Sequence, residues 1–250
     1  MAAPMTTVAF RFYGPLNDFL PRLQRQATLV CAYEGRASVK DAIESLGVPH
    51  PEVDLIVVNG MPVPFEYAVQ PRDRVAVYPA FTQLDLPWAL RLTPPLVEAR
   101  FVADAHLGRL AAYLRLLGFD TAYRHDVADE DLAERSARDD RVLLTRDLGV
   151  LKRSIVRRGY FVRATNPARQ LVEVVQRFGI AALAQPFSRC LPCNAALAPA
   201  SKAHVAPFVP PRSRDHFEEF SRCPACGRVY WQGSHYARMQ RLVEAALAGG

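Results

Sequence analysis

At 250 residues the chain is long enough for one large domain or two to three small ones. Half of its residues are hydrophobic and 22% are charged, and no run approaches the roughly 18 apolar residues of a membrane span. The net charge of +6 is uneven, −1 over residues 1–92, +3 over 93–186 and +4 over 187–250, so the basic excess that favours a polyanionic partner lies in the last two segments. The amino terminus lacks the basic-then-apolar layout of a signal peptide, and the expectation is a cytoplasmic protein with no membrane partner. Five cysteines, four of them near the carboxyl end, argue against a secreted disulfide framework and for a metal.

In the first segment, residues 1–82, "VAFRFYG" and "ATLVCAYE" alternate as strands, with Cys31 expected as a small core residue of the second. "SVKDAIESLG" reads as a helix capped by Ser38 and ended by Gly47, and "VDLIVVNG" and "RVAVYPAF" supply further strands. Two strands, a helix across them and then more strands is the β-grasp order. "VVNGMPV" followed by "QPRDRVAVYP" resembles the ubiquitin-like sulfur carriers of thiamine and molybdopterin synthesis. Those carriers act through a free terminal diglycine, whereas this segment runs on through "YPAFTQLDLPW"; Gly249 and Gly250 follow a different segment and read as a frayed tail. The segment is therefore expected to be an interaction module for protein or RNA.

Residues 83–96 are proline-rich and read as a linker closed by Pro94-Pro95. Over 97–186 the pattern alternates: "EARFVAD" strand, "HLGRLAAYLRLLG" helix, "DTAYR" strand, "DEDLAERSARDD" helix, "RVLLTRD" strand, "GVLKRSIVRRG" helix, "YFVRAT" strand and "NPARQLVEVVQRFG" helix. Four strand-helix units predict a parallel α/β sheet with helices on both faces.

Three acids fall at comparable points of these units: Asp104 ends the first strand, Asp129 opens the second helix and Asp147 ends the third strand. In a parallel sheet all carboxyl ends share one rim, where ligands bind, so the three could converge there. Repulsion between clustered carboxylates is relieved by a hard cation, Mg²⁺ or Mn²⁺, which can activate water and stabilise charge on a phosphodiester. Asp129 is equally suited to capping its helix, and Glu130 and Asp131 are alternatives for its metal role. Asp120 and Asp126 are assigned to turns or neighbouring arginines, and Asp139 and Asp140 to a solvated helix end. Arg146, Lys152, Arg153 and Arg157, with Arg158, lie beside the rim, and on a continuous helix Lys152, Arg153 and Arg157 would form a face able to follow an RNA backbone. His106 could contact a phosphate or simply start its helix.

Cys190-x-x-Cys193 and Cys223-x-x-Cys226, separated by 29 residues, can supply four thiolates to a closed, tetrahedral, structural Zn²⁺ site; a redox dithiol is the alternative. Tyr230, Trp231, His235 and Tyr236 follow, interleaved with Arg228 and Arg238, as RNA stacking and phosphate contact require. Trp231 is accordingly a candidate RNA contact, although it and Tyr230 could equally pack the small core.

"FVADAHLGRLAAYLRLLGFDT", "DEDLAERSARDDRVLLTRD", "RCLPCNAAL" and "RCPACGRVYWQGSHYARM" together resemble the Mut-seven carboxyl-terminal ribonuclease family, a PIN-like nuclease domain followed by a zinc ribbon and often preceded by a ubiquitin-like domain. The resemblance runs in order over nearly all of residues 97–245. It implies a β-grasp domain over 1–82, a PIN-like parallel α/β domain over 97–186 and a zinc ribbon with a terminal helix over 187–250. The implied activity is metal-dependent hydrolysis of RNA, with Asp104, Asp129 and Asp147 as the matching acidic positions. "YFVRATNPAR" offers no fourth acid, so the implied site has three carboxylates. A noncatalytic RNA-binding or adaptor protein on the same fold is the rival expectation.

Overall fold

The computed structural model describes residues 5–34, 36–81, 87, 90–93, 96 and 98–248. Most of the expected linker, Pro94-Pro95 included, and the Gly249-Gly250 tail lie outside the described residues. The chain divides into two compact units, residues 1–96 with 147–161, and residues 97–146 with 162–250.

In the first unit β1 (Met5–Phe12) buries Val8, Phe10 and Phe12 and turns Thr7 and Arg11 outward, the period of a half-covered strand. It pairs antiparallel with β2 (Thr28–Glu34), which is an edge strand, and Cys31 is only half-buried there rather than a core residue. Helix α1 (Val39–Ser45) is capped as expected, the Ser38 hydroxyl accepting from the Asp41 amide at 3.1 Å, and it buries Val39, Ala42 and Ile43 on the sheet. Strand β3 (Val53–Val58) turns at Asn59-Gly60, both with positive φ, into the two-residue β4 (Met61–Pro62). Strand β5 (Arg74–Pro79) then runs parallel to β1 and antiparallel to β3, which gives the sheet order β2-β1-β5-β3-β4. A parallel pair at the centre with a helix crossing between β2 and β3 is the β-grasp arrangement.

In the second unit β6 (Arg100–Ala103) is followed by a 3-10 turn and α2 (Gly108–Leu116), β7 (Asp120–Tyr123), α3 (Asp129–Arg138) and β8 (Val142–Thr145). β6 pairs parallel with both β7 and β8, in the order β7-β6-β8. Phe101, Val102, Ala103 and all of β8 are buried, as in a strand covered on both faces.

The helix expected over "GVLKRSIVRRG" is corrected. It stops after one turn, α4 (Leu148–Leu151), with Lys152 as its C-cap. Beyond it Val156 is fully buried and its amide closes a turn on the Arg153 carbonyl, so burial of a β-branched side chain wins over helix continuation. Lys152, Arg153 and Arg157 therefore share no helix face. This segment, with β9 (Gly159–Phe161), belongs to the first unit.

Helix α5 (Pro167–Phe178) returns the chain to the second unit. The Asn166 side chain accepts from the amides of Ala168 and Arg169, and Gly179 ends the helix in the left-handed conformation at φ 60°. The long stretch between the cysteine pairs is structured. It holds β10 (Ala198–Ala200), α6 (Lys202–Val205) and α7 (Pro211–His216), after which β11 (Phe220–Arg222) and β12 (Val229–Tyr230) complete an antiparallel sheet in the order β10-β11-β12. Val205, Val209 and Phe220 form its small core, and α8 (Tyr236–Leu247) packs against α5.

Candidate active site and metal centre

Asp104 stands immediately past the carboxyl end of β6 and is 6% exposed. Its Oδ2 accepts from the Arg146 amide at 2.9 Å and from the Thr145 hydroxyl, and its Oδ1 accepts from the His106 amide at 2.8 Å. Those partners follow from the parallel pairing: Ala103 lies opposite Leu144, and the Asp104 amide donates to the Leu144 carbonyl, so the next two residues of the chain after Leu144 face the carboxylate. Three donors hold the buried carboxylate in one orientation while Oδ1 keeps acceptor capacity. His106 Nδ1 lies 3.7 Å from Oδ1, with its ring largely in solvent.

Asp129 opens α3 with Glu130 and Asp131 in the same exposed first turn, after an N-cap residue, Ala128, that contributes no side-chain hydrogen bond. Asp147 follows Arg146 in the chain, is exposed and caps α4, its Oδ1 accepting from the Gly149 amide at 2.6 Å. The basic residues divide into two kinds. Arg146 Nη1 donates to the carbonyls of Val162, Arg163 and Ala164 at 2.8–3.0 Å, and Lys152 Nζ donates to the Glu44 carbonyl at 3.1 Å. Arg153 and Arg157 are exposed.

The four cysteines come together. Sγ of Cys190 lies 3.5 Å from that of Cys226, Sγ of Cys193 lies 3.3 Å from that of Cys223, and all four are within 4.8 Å of one another. Four thiolates on a tetrahedral zinc at about 2.3 Å would stand about 3.8 Å apart, so the set fits a metal ion such as zinc. Among the described residues it is the one group of three or more potential ligands this tightly gathered. Burial would raise the Cys223 thiol, but donation from the Cys226 and Ala225 amides and its place beside Cys193 bring it down to about 6.

Residues that the sequence did not tie to the cysteines surround this centre, Asn194 and Arg115 among them. The Tyr230 hydroxyl sits 3.2 Å from Cys190 Sγ and accepts from the Leu191 amide at 3.1 Å. Asn194, next after the first knuckle, donates to Asp120 at 2.6 Å and accepts from the Thr121 amide at 2.9 Å. Arg115 Nη1 donates to the carbonyls of Leu191 and Pro192 at 2.7 and 2.8 Å. An arginine inside the apolar run "YLRLLG" was the available signal for the last of these. Asp120 also takes a two-pronged ion pair from Arg141 at 2.7 and 3.0 Å, in keeping with its assignment to a neighbouring arginine. Trp231 is half-buried against the ribbon core, its ring 6.5 Å from that of Phe220.

A ubiquitin-like β-grasp fold, a parallel α/β layer with a buried acid at its rim and a four-cysteine centre of ribbon type define a mixed α/β protein of three modules. Two family models match these modules in order, the Mut7-C ubiquitin domain over residues 5–85 and the Mut7-C RNAse domain over residues 99–243. The chain belongs to the Mut7-C RNAse domain family. No curated protein and no solved structure matches it. Among the described residues no helix is long and apolar enough to cross a membrane.

Proposed function

We propose that the protein is a metal-dependent ribonuclease in which Asp104, Asp129 and Asp147 hold Mg²⁺ or Mn²⁺ and the cysteine centre holds a structural Zn²⁺. The observation that carries this reading is Asp104, a carboxylate buried at the carboxyl end of a central parallel strand and fixed by Thr145 and Arg146 at the end of the next strand. Carboxylate oxygens suit a hard cation, and Asp104 Oδ1 has one amide donor in the structure and room for a further partner. When bound, such a cation supplies activation of water and stabilisation of charge on the phosphodiester.

The chain's own residues orient and bind. Thr145 and the Arg146 amide keep Asp104 from rotating, and the exposed His106 beside it is placed to meet a phosphate oxygen. Arg153 and Arg157 are the phosphate contacts this reading favours, because Arg146 and Lys152 already serve backbone carbonyls. Trp231 can offer a ring face to a base only in part, since it also packs the ribbon core. The domains follow the division 1–82, 97–186 and 187–250, and the protein works in the cytoplasm on RNA.

The test is cleavage of a labelled mixed RNA pool with Mn²⁺, Mg²⁺ or chelator, beside Asp104→Asn and Asp147→Asn. Chelator-sensitive cutting is expected, reduced by about a hundredfold or more in both variants. Cutting that is absent, or equal in wild type and variants, leaves a noncatalytic RNA-binding protein as the better account.

A further inference from the structure

Two neighbouring cavities of the second unit share one wall, made by Tyr230, Trp231, Tyr236 and Met239 just past the second cysteine pair. The first holds about 530 Å³, within the size range of a small-molecule site, and Phe187 and Phe220 add to its aromatic lining. Glu218 and Glu219 stand on it as well. Glu218 is taken by Lys202 Nζ at 2.5 Å, whereas the exposed Glu219 carboxylate has no partner among the described residues. The second cavity, about 490 Å³, carries Arg212, His216 and His235, all exposed.

Phe187 is held in this lining under strain. Its φ of 63° is left-handed, a conformation that is costly for a bulky side chain and that glycine adopts freely. Its amide donates to the Leu116 carbonyl at 2.8 Å, and its ring lies 4.7 Å from that of Tyr236 at an angle of 30°. Strain of this kind gathers at ligand clamps. Gly233 lets the Trp231 indole lie close against the main chain, since a Cβ there would come within 2.7 Å of Nε1.

Flat apolar walls beside an unpaired carboxylate suit a planar ring with N–H donors on its edge. Among the four RNA bases guanine alone presents two adjacent donors, N1–H and the N2 amino group, to one carboxylate; each of the others sets its donor beside an acceptor. The cations of the second cavity, and the +4 charge of residues 187–250, suit the phosphates that flank such a base. A basic peptide would satisfy Glu219 equally well, but Arg212 would repel it.

We infer that the first cavity is a reading site for a single unpaired guanine of RNA, with the base against Trp231 and Phe187, its N1 and N2 on Glu219, and the adjoining phosphates at Arg212, His216 and His235. The inference rests on the reading of RNA as substrate and adds a base preference to it.

The experiment titrates the full chain against a fluorescein-labelled oligouridine and its variants with one central G, A or C, by anisotropy and with no added Mg²⁺ or Mn²⁺. The G oligomer is expected to bind about tenfold tighter than the other three. Glu219→Gln, which sets an amide where guanine needs two acceptors, should bring that preference below about twofold with the unfolding midpoint unmoved. Phe187→Gly, which suits the backbone at this φ, should weaken the G oligomer about tenfold while α8 keeps its protection from amide exchange. Arg212→Ala should weaken all four oligomers alike.

Equal affinity for the four oligomers, or a preference that survives Glu219→Gln, overturns the inference. An unchanged preference in Phe187→Gly does so too, since the ring then serves only Tyr236 and α8. A labelled arginine peptide that binds through Glu219 while the oligomers do not differ makes the cavity a docking site for a basic protein segment instead. Adding Mn²⁺ to the same mixtures separates this inference from the ribonuclease reading. A G preference without cutting leaves the guanine site standing on a noncatalytic RNA-binding protein, and cutting without a G preference removes the guanine site alone.

Discussion

Asp120 shows how one side chain joins two modules. It receives Arg141, whose guanidinium is 8% exposed and also donates to the Phe101 carbonyl, and it receives Asn194 from the cysteine knuckle. Burial by itself would raise this carboxyl, yet the hydrogen bonds from Arg141 and Asn194 and the charge of Arg141 bring it down to about 2. A carboxylate with a depressed folded value adds stability that is complete above its ordinary value near 3.8 and is lost as pH falls toward about 2. Thermal unfolding midpoints should accordingly drop between pH 4 and pH 2 in wild type and drop less steeply in Asp120→Asn. At pH 7 the Asn variant should be less stable by about 2 kcal/mol, since the buried Arg141 loses its two-pronged partner and keeps only Asp139, 3.6 Å from its Nε. The sequence left Asp120 to a turn or a neighbouring arginine; that its partners are Arg141 and Asn194 was not legible, because both reach it across the fold.

At the scale of elements, the ribbon and the parallel sheet share hydrogen bonds. Strand β7 is an edge strand of the β7-β6-β8 group, and the amide of Thr121 on it is taken by Asn194 of the knuckle rather than by another strand. Arg115 from α2 ties the carbonyls of Leu191 and Pro192 to the same place, and Gly118 allows the chain to pass, since a Cβ there would lie 2.2 Å from the Gln185 carbonyl oxygen. The ribbon's own core is three buried side chains, too small to fold alone, so four thiolates on zinc would supply most of its stability. Elemental analysis is expected to find about one zinc per chain, lost in Cys223→Ser. Stripping the metal should expose the Thr121 amide to exchange along with β10–β12. Zinc loss without faster exchange at Thr121 would mean that the knuckle stays docked through Arg115 and Asn194 alone. The two CxxC pairs announced a four-cysteine cluster through their spacing, whereas its docking needed the tertiary structure.

The molecule as a whole is not a string of beads in sequence order, because its chain leaves the second unit after Arg146 and re-enters it at Val162. A chain truncated to residues 97–250 would take Phe19 from the Phe161 ring and leave the Val156 carbonyl and Phe161 amide without His50 and Glu52. That truncated chain is expected to aggregate or to unfold well below the full-length midpoint, which calorimetry and light scattering would register; a monomer with an unchanged midpoint would show that the segment folds without the β-grasp. By itself the sequence determined the elements with local causes: the alternating strands of the β-grasp, the cap at Ser38, the buried strand that delivers Asp104 to a rim, and the cysteine pairs. Each of these depends on neighbours within a few residues, where propensity and spacing act directly. Only the tertiary structure decided that the helix after Asp147 stops at Leu151, that the basic residues beyond it share no face, and that Glu44, His50 and Glu52 hold that stretch. The physical reason is that burial of Val156 and pairing of distant backbone groups outweigh the few tenths of a kcal/mol per residue by which local propensity favours a helix.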